Sequence, residues 1–190
     1  REPVNHPWFN QNSPPVIIGV GRLTQQKGFD LLIRAFSLLS NERNVRLMIL
    51  GEGELRSELE KLVQDLGLVK KVFLPGFVNN PFAYIHRSSL FVLSSRWEGF
   101  GNVLVEAMAC GTPIVSTDCP SGPAEILENG RWGRMVPVGD EIAMAEAMVA
   151  TLDETDHPNV VARAAEFNVD RAVNEYLKVL LPEKSEEQAR

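Results

Sequence analysis

Between Val16 and the residues beyond Asp140, the chain switches six times from a short apolar run to a stretch with helical periodicity. The first run is Val16–Val20. Phe29, Leu32, Ile33 and Phe36 follow it at i, i+3, i+4 and i+7, which is one face of a helix. Residues 45–50 form the second run, ahead of a helix with Leu55, Leu59, Leu62 and Leu66 on one stripe and Gly67 at its end. Residues 72–74 precede a short helix over 81–87, and residues 90–93 precede one over 102–110. Residues 113–116 lead to a short helix over 123–127, and residues 134–138 to a helix with Asp140 as its N-cap. No hairpin signal interrupts the series. The strands are near-continuously apolar, the pattern of a sheet covered on both faces. The expected fold is α/β: a doubly wound, mainly parallel six-stranded Rossmann-like sheet with helices on both faces.

A chain of 190 residues can bury one substantial core. The expected organisation is a linker over 1–15, the α/β domain over 16–155, a helical segment over 156–181 and a charged tail over 182–190. The linker is rich in Pro and Asn and lacks periodicity, and it reads as an entry from something upstream. The helical segment carries a stripe of Val169, Val173, Tyr176 and Leu180.

The formal net charge of −6 argues against a general nucleic-acid binder, which needs a basic surface to displace counterions from phosphate. It leaves room for a local basic pocket around a small anion. Cys110 and Cys119 form no CxxC and have no histidine nearby, so they read as small buried side chains of a reducing compartment. His6, His86 and His157 are scattered without metal-ligand spacing. No apolar run approaches membrane-spanning length and no signal-peptide pattern opens the chain, so a cytoplasmic location is expected.

In doubly wound folds, ligands bind beyond the carboxyl ends of the strands, where loops feed helix N-termini. After the first strand stands Gly21-Arg22-Leu23-Thr24-Gln25-Gln26-Lys27-Gly28. Its glycines let the backbone approach a ligand, and Arg22 and Lys27 offer two cations to one anion. Ordinary solvated charges on a βα loop remain an equal alternative at this point. A dinucleotide fingerprint fits poorly: Gly19-x-Gly21 is followed by Thr24 and Gly51-x-Gly53 by Arg56 where a third glycine would stand.

After the fourth strand comes Trp97-Glu98-Gly99-Phe100-Gly101-Asn102-Val103-Leu104-Val105-Glu106. Two glycines bracket a phenylalanine just before a helix, with a carboxylate on each side. Open N–H groups at such a helix start can cradle a diphosphate. Glu106, a turn into the helix, can accept hydrogen bonds from a ribose diol, while Val103, Leu104, Ala107 and Met108 form the buried face. Glu98, in the loop, can do the same for sugar hydroxyls.

These residues resemble the carboxy-terminal domain of family 4 glycosyltransferases of GT-B architecture. The E-x7-E pattern from Glu98 to Glu106 carries the likeness, preceded by Gly21-Arg22-Leu23 and Lys27-Gly28. Gly51-Glu52-Gly53, Pro75-Gly76-Phe77, the 107–115 stretch AMACGTPIV and the 122–127 stretch GPAEIL support it. The likeness covers roughly residues 15–152.

The resemblance implies a retaining transferase whose donor is a nucleoside-diphosphate sugar, with UDP-sugar as the default, and no further cofactor or metal. Arg22 and Lys27, with Gly21 and the amides of Asn102 and Val103, would hold the donor diphosphate. Glu98, Gly99, Phe100 and Gly101 would hold the transferred sugar, and Glu106 the ribose. Phe77, Val78 and Gly51 would surround the base. No catalytic residue is assigned within this lobe. The family pairs this lobe with an amino-terminal one that binds the acceptor, so the fragment alone is expected to be inactive. Peripheral membrane contact of a longer parent stays open. Gly122-Pro123 stands where many relatives have two glycines, which puts the role of that loop and of Glu125 in doubt. A nucleotide-binding regulatory module of the same fold, without turnover, is the competing reading.

Overall fold

The computed structural model describes Val4, residues 6–168 and Val173. Six strands form one sheet: β1 (Val16–Val20), β2 (Arg46–Leu50), β3 (Val72–Gly76), β4 (Leu90–Leu93), β5 (Ile114–Thr117) and β6 (Arg134–Val136). Their order is β3-β2-β1-β4-β5-β6, and every neighbouring pair is parallel. Parallel neighbours need crossover connections. Helices α1 (Phe29–Glu42), α2 (Arg56–Asp65), α3 (Pro81–Arg87), α4 (Asn102–Ala109) and α5 (Pro123–Ile126) supply them. Helix α6 (Glu141–Asp153) follows β6, and α7 (Val160–Ala164) follows α6. The expected doubly wound α/β sheet is the one that forms.

Burial divides along the two sheet faces, as the period-2 geometry of strands requires. Ile17, Leu47, Ile49, Val92 and Val115 face one core with α1, α2 and α6. Ile18, Met48, Leu50, Phe91 and Leu93 face the other with α3, α4, α5 and α7. Phe36 and Phe91 are the largest fully buried side chains of the two cores. Each such side chain contributes about 1.5–3 kcal/mol of transfer free energy.

Element edges shift for physical reasons. In α2, Leu59 and Val63 are buried, Leu55 and Leu62 only partly, and Leu66 is exposed. The helix ends at Asp65, so Leu66 becomes its C-cap and leaves the expected stripe. β3 runs on through Pro75 to Gly76. It is an edge strand, where a residue without an N–H costs no ladder bond. The Asp140 side chain accepts the Ala143 N–H at 2.9 Å, capping α6 as expected.

The Pro- and Asn-rich entry carries a 3-10 turn over Pro7–Phe9, and Trp8 and Phe9 pack against the second core. His6 stacks on Phe73, and the Arg46 guanidinium lies over Trp8. Burial, and then the neighbouring Arg46 charge, push the His6 imidazole below its ordinary value. At the other end, the buried Arg163 of α7 donates to the carbonyls of Glu125 and Ile126, the final turn of α5. Of the expected stripe, Val169, Tyr176 and Leu180 lie outside the described residues, as does the charged tail.

Candidate functional site

β1 and β4 are neighbours at the centre of the sheet, yet the chain leaves β1 for α1 on one face and β4 for α4 on the other. Their carboxyl ends therefore open a crevice at the topological switch point, where doubly wound folds bind ligands. The loops on its two sides are fastened together. Ser94 Oγ donates to the Lys27 carbonyl at 2.8 Å, and the Arg96 N–H to the Gln26 carbonyl at 2.7 Å. Arg96 also reaches the Gln25 carbonyl and grips both oxygens of Asp30, at 2.9 and 2.7 Å. Burial raises the Asp30 carboxyl, but the Arg96 hydrogen bonds and charge outweigh it and hold the group below its ordinary value.

On the β1–β2–β3 side lies a cavity of about 370 Å³ lined by Val20, Gly21, Arg22, Gly51, Phe77 and Val78, among others. Gly51 makes this wall possible. Its φ is +141°, and a Cβ there would sit 1.9 Å from the Gly21 carbonyl oxygen, so only glycine lets the ends of β1 and β2 close up. Phe77 is 76% exposed at the rim. Arg22 is exposed, and its guanidinium has no hydrogen bond or ion pair among the described residues. A hollow of about 460 Å³ between α1 and α2 is larger, but it holds none of the expected site residues. A mostly apolar cleft with a few convergent polar groups is the better ligand site.

Lys27 connects this cavity to the α4 side. Its alkyl chain lies along Gly21, where an added Cβ would come within 3.2–3.3 Å of it. Its ammonium then meets Glu98 Oε1 at 2.5 Å, with side chains 15% and 6% exposed. Ser95 Oγ donates to the same oxygen, also at 2.5 Å.

Past Glu98 the chain runs through Gly99, Phe100 and Gly101 into α4. Gly101, at φ 93°, is the N-cap, and no side chain caps the helix. The amides of Asn102 and Val103 therefore stay open among the described residues. Glu106 sits one turn on, partly exposed, with no side-chain hydrogen bond among the described residues. Leu104, Ala107 and Met108 are buried, and Val103 is partly so. The loop after β5 braces this one: the Glu98 N–H donates to the Pro120 carbonyl, and a Cβ on Gly122 would lie 1.8 Å from the Phe100 carbonyl oxygen. The Phe100 ring meets Phe167 edge-on at 5.8 Å.

The structure thus gathers Gly21, Arg22, Gly51, Phe77 and Val78 on one cavity and pairs Lys27 with Glu98. It sets Gly99, Phe100, Gly101, Asn102, Val103 and Glu106 at the start of α4. Sequence reasoning passed over Ser95, Thr117, Arg96 and Asp30. Two serines directly after four apolar strand residues were the available signal, since polar side chains there must find partners inside the crevice. Cys119 is buried beside Thr117, and burial raises its thiol, with the Glu98 charge adding to the effect. Burial likewise raises the thiol of Cys110, helped by Glu106. Among the described residues, no three His, Cys, Asp or Glu side chains gather where they can hold a metal ion. No helix there is long and apolar enough to cross a membrane.

Known proteins resemble the chain in sequence and in fold. The chain is 37% identical over 170 residues to a Campylobacter jejuni N-acetylgalactosamine-N,N'-diacetylbacillosaminyl-diphospho-undecaprenol 4-alpha-N-acetylgalactosaminyltransferase, covering 87% of this chain and 46% of that one. It is 34% identical over 175 residues to the lipopolysaccharide core biosynthesis glycosyltransferase LpsE of Rhizobium meliloti, covering 87% and 49%. The crystal structure of Anabaena Alr3699/HepE in complex with UDP and glucose superposes with a TM-score of 0.79 at 24% identity, over 88% of this chain and 48% of that one. The chain spans about half the length of the curated relatives it matches. The sequence profile of glycosyl transferases group 1 matches residues 4–167, and the chain belongs to that family.

Proposed function

We propose that this chain is the donor-binding lobe of a retaining glycosyltransferase and is catalytically incomplete without a second lobe. Its donor is a nucleoside-diphosphate sugar, UDP-sugar first. The observation that carries this reading is the continuous path from the Arg22-lined cavity, along Lys27, to Glu98 and the uncapped start of α4. The base sits in the cavity beside Gly51, Phe77 and Val78, and the ribose diol binds Glu106. Arg22, Lys27 and the amides of Asn102 and Val103 take the diphosphate, while Glu98 and the 99–101 backbone take the sugar. Breaking the anomeric C–O bond leaves negative charge on the diphosphate. Cations and helix N–H groups gathered beside the diphosphate stabilise that charge. The complex of Alr3699/HepE with UDP and glucose supports a donor of this class.

Calorimetric titration of the chain with UDP, GDP and ADP tests the proposal. One nucleotide is expected to bind selectively, with Arg22→Ala and Glu106→Ala each weakening it about tenfold or more, the worth of one charge-assisted contact. Silence both from this chain and from a longer one carrying a second lobe would overturn the reading. Binding without sugar transfer by the longer chain would favour a regulatory module.

A further inference from the structure

We propose that Ser95 is a positioning residue of the sugar subsite: its hydroxyl locks Glu98 Oε1, so that Oε2 is the oxygen presented to the donor whether or not Lys27 turns to the diphosphate. The inference rests on the donor-site reading above and adds to it the group that aims the sugar-binding carboxylate.

Two donors converge on Oε1, Lys27 Nζ and Ser95 Oγ, each at 2.5 Å. Oε2 has no protein donor among the described residues. No fully buried side-chain nitrogen or oxygen there lacks a partner, so Oε2 reaches solvent although the Glu98 side chain is only 6% exposed. The carboxylate therefore has a closed oxygen and an open one. Glu98 Cγ lies 4.0 Å from the Cβ position of Gly101, at the start of α4. An incoming hydroxyl meets one acceptor in one direction.

A diphosphate drawing on the Lys27 ammonium removes or shares one of the two donors on Oε1. Ser95 does not move with it. Ser95 is fully buried, and its carbonyl accepts the Thr117 Oγ1 proton at 2.6 Å, tying the end of β4 to β5. The adjacent Ser94 holds the Lys27 backbone instead, at 2.8 Å. Neighbouring serines thus divide the work: one fixes where Lys27 starts, the other where Glu98 points. Charge-assisted bonds of this kind are short and geometrically selective.

The test titrates the chain with UDP, GDP and ADP, each beside its glucose ester, and reads the ratio of nucleotide Kd to ester Kd. In Ser95→Ala the nucleotide Kd is expected to stay within about twofold of wild type while the ratio falls about five- to tenfold, less than the worth of a whole charge-assisted bond because Glu98 is still present and only its aim is lost. Ser95→Thr, which restores a hydroxyl, is expected to bring the ratio back. In a Glu98→Ala background, Ser95→Ala is expected to change it no further. Should Ser95→Ala not fold, Thr117→Val is read on the same ratio, with a smaller fall in the same direction. An unchanged ratio, an equal loss for nucleotide and ester, or a further fall in the Glu98→Ala background would overturn the assignment. A wild-type chain that binds no nucleotide, with a longer chain carrying a second lobe silent as well, overturns the donor-site reading itself, a result distinguishable from all of these.

Discussion

Lys27 and Glu98 stand 71 positions apart in sequence and meet in a 2.5 Å ion pair across the crevice between β1 and β4. Both side chains are largely withdrawn from water, so each is the main counter-charge of the other until a ligand arrives. Lys27→Met strips that charge from a nearly buried carboxylate. Unfolding stability at pH 7 is expected to fall by roughly 2–4 kcal/mol, short of the worst case because Ser95 still donates to Glu98. Denaturant titration measures it, and a loss smaller than about 0.5 kcal/mol would show that the pair holds nothing together.

Arg22 presents the opposite case. It is exposed and has no partner among the described residues, so Arg22→Ala should leave stability within about 0.5 kcal/mol of wild type. Its nucleotide affinity should nevertheless drop by one to two decades, about 1.5–3 kcal/mol. Thermal unfolding and calorimetry on the same preparation separate the two effects.

Acid should loosen the clasp between the crevice loops. The folded Asp30 carboxyl lies below its ordinary value of 3.8, because Arg96 stabilises the charged form more than burial opposes it. A group depressed on folding contributes stability above its unfolded value and loses that contribution as pH falls through the folded one. Asp30→Asn should therefore be less stable than wild type at neutral pH, by no more than about 1 kcal/mol given the partial exposure of the pair. The gap should close progressively below about pH 4. Urea midpoints at pH 7, 4 and 3 trace it, and a constant gap would contradict the assignment.

Gly51→Ala should disrupt the cavity lined by Arg22, Phe77 and Val78 from below. The new Cβ would meet the Gly21 carbonyl at 1.9 Å in a backbone conformation at φ +141°, and no side-chain rotation relieves that clash. A loss of about 2 kcal/mol or more is expected, with the cavity wall displaced. Wild-type stability in this variant would mean that the ends of β1 and β2 part easily.

The layered fold was legible because its signals are local. Apolar runs such as Leu90–Leu93, and the i, i+3, i+4 spacing of Phe29, Leu32 and Ile33, each report a neighbourhood within a few residues. Helix ends were legible within a residue or two where a cap marks them, as Asp140 does for α6. The order of strands was not legible, since nothing local states that β4 lies beside β1 and not beside β3. The pairings that follow from that order were hidden too. Lys27 and Glu98 could each be singled out as charged residues after a strand, but their contact exists only once the sheet is assembled. The role of Ser95 depends on Thr117 and Glu98, which come to either side of it only in the folded sheet. Trp8 and Phe9 were obscured by the prolines and asparagines around them, although two adjacent aromatics are rarely left in water.

The nested backbone at Gly122 and Phe100 has a practical consequence for anyone exchanging either loop. With 1.8 Å between a would-be side chain and a carbonyl, the loops after β4 and β5 are not separable modules but two halves of one casting. Grafting a foreign 98–101 segment alone would set a new backbone curve against an old counterpart. A successful transplant has to carry residues 118–122 with it, so the exchangeable unit in this scaffold is a pair of loops.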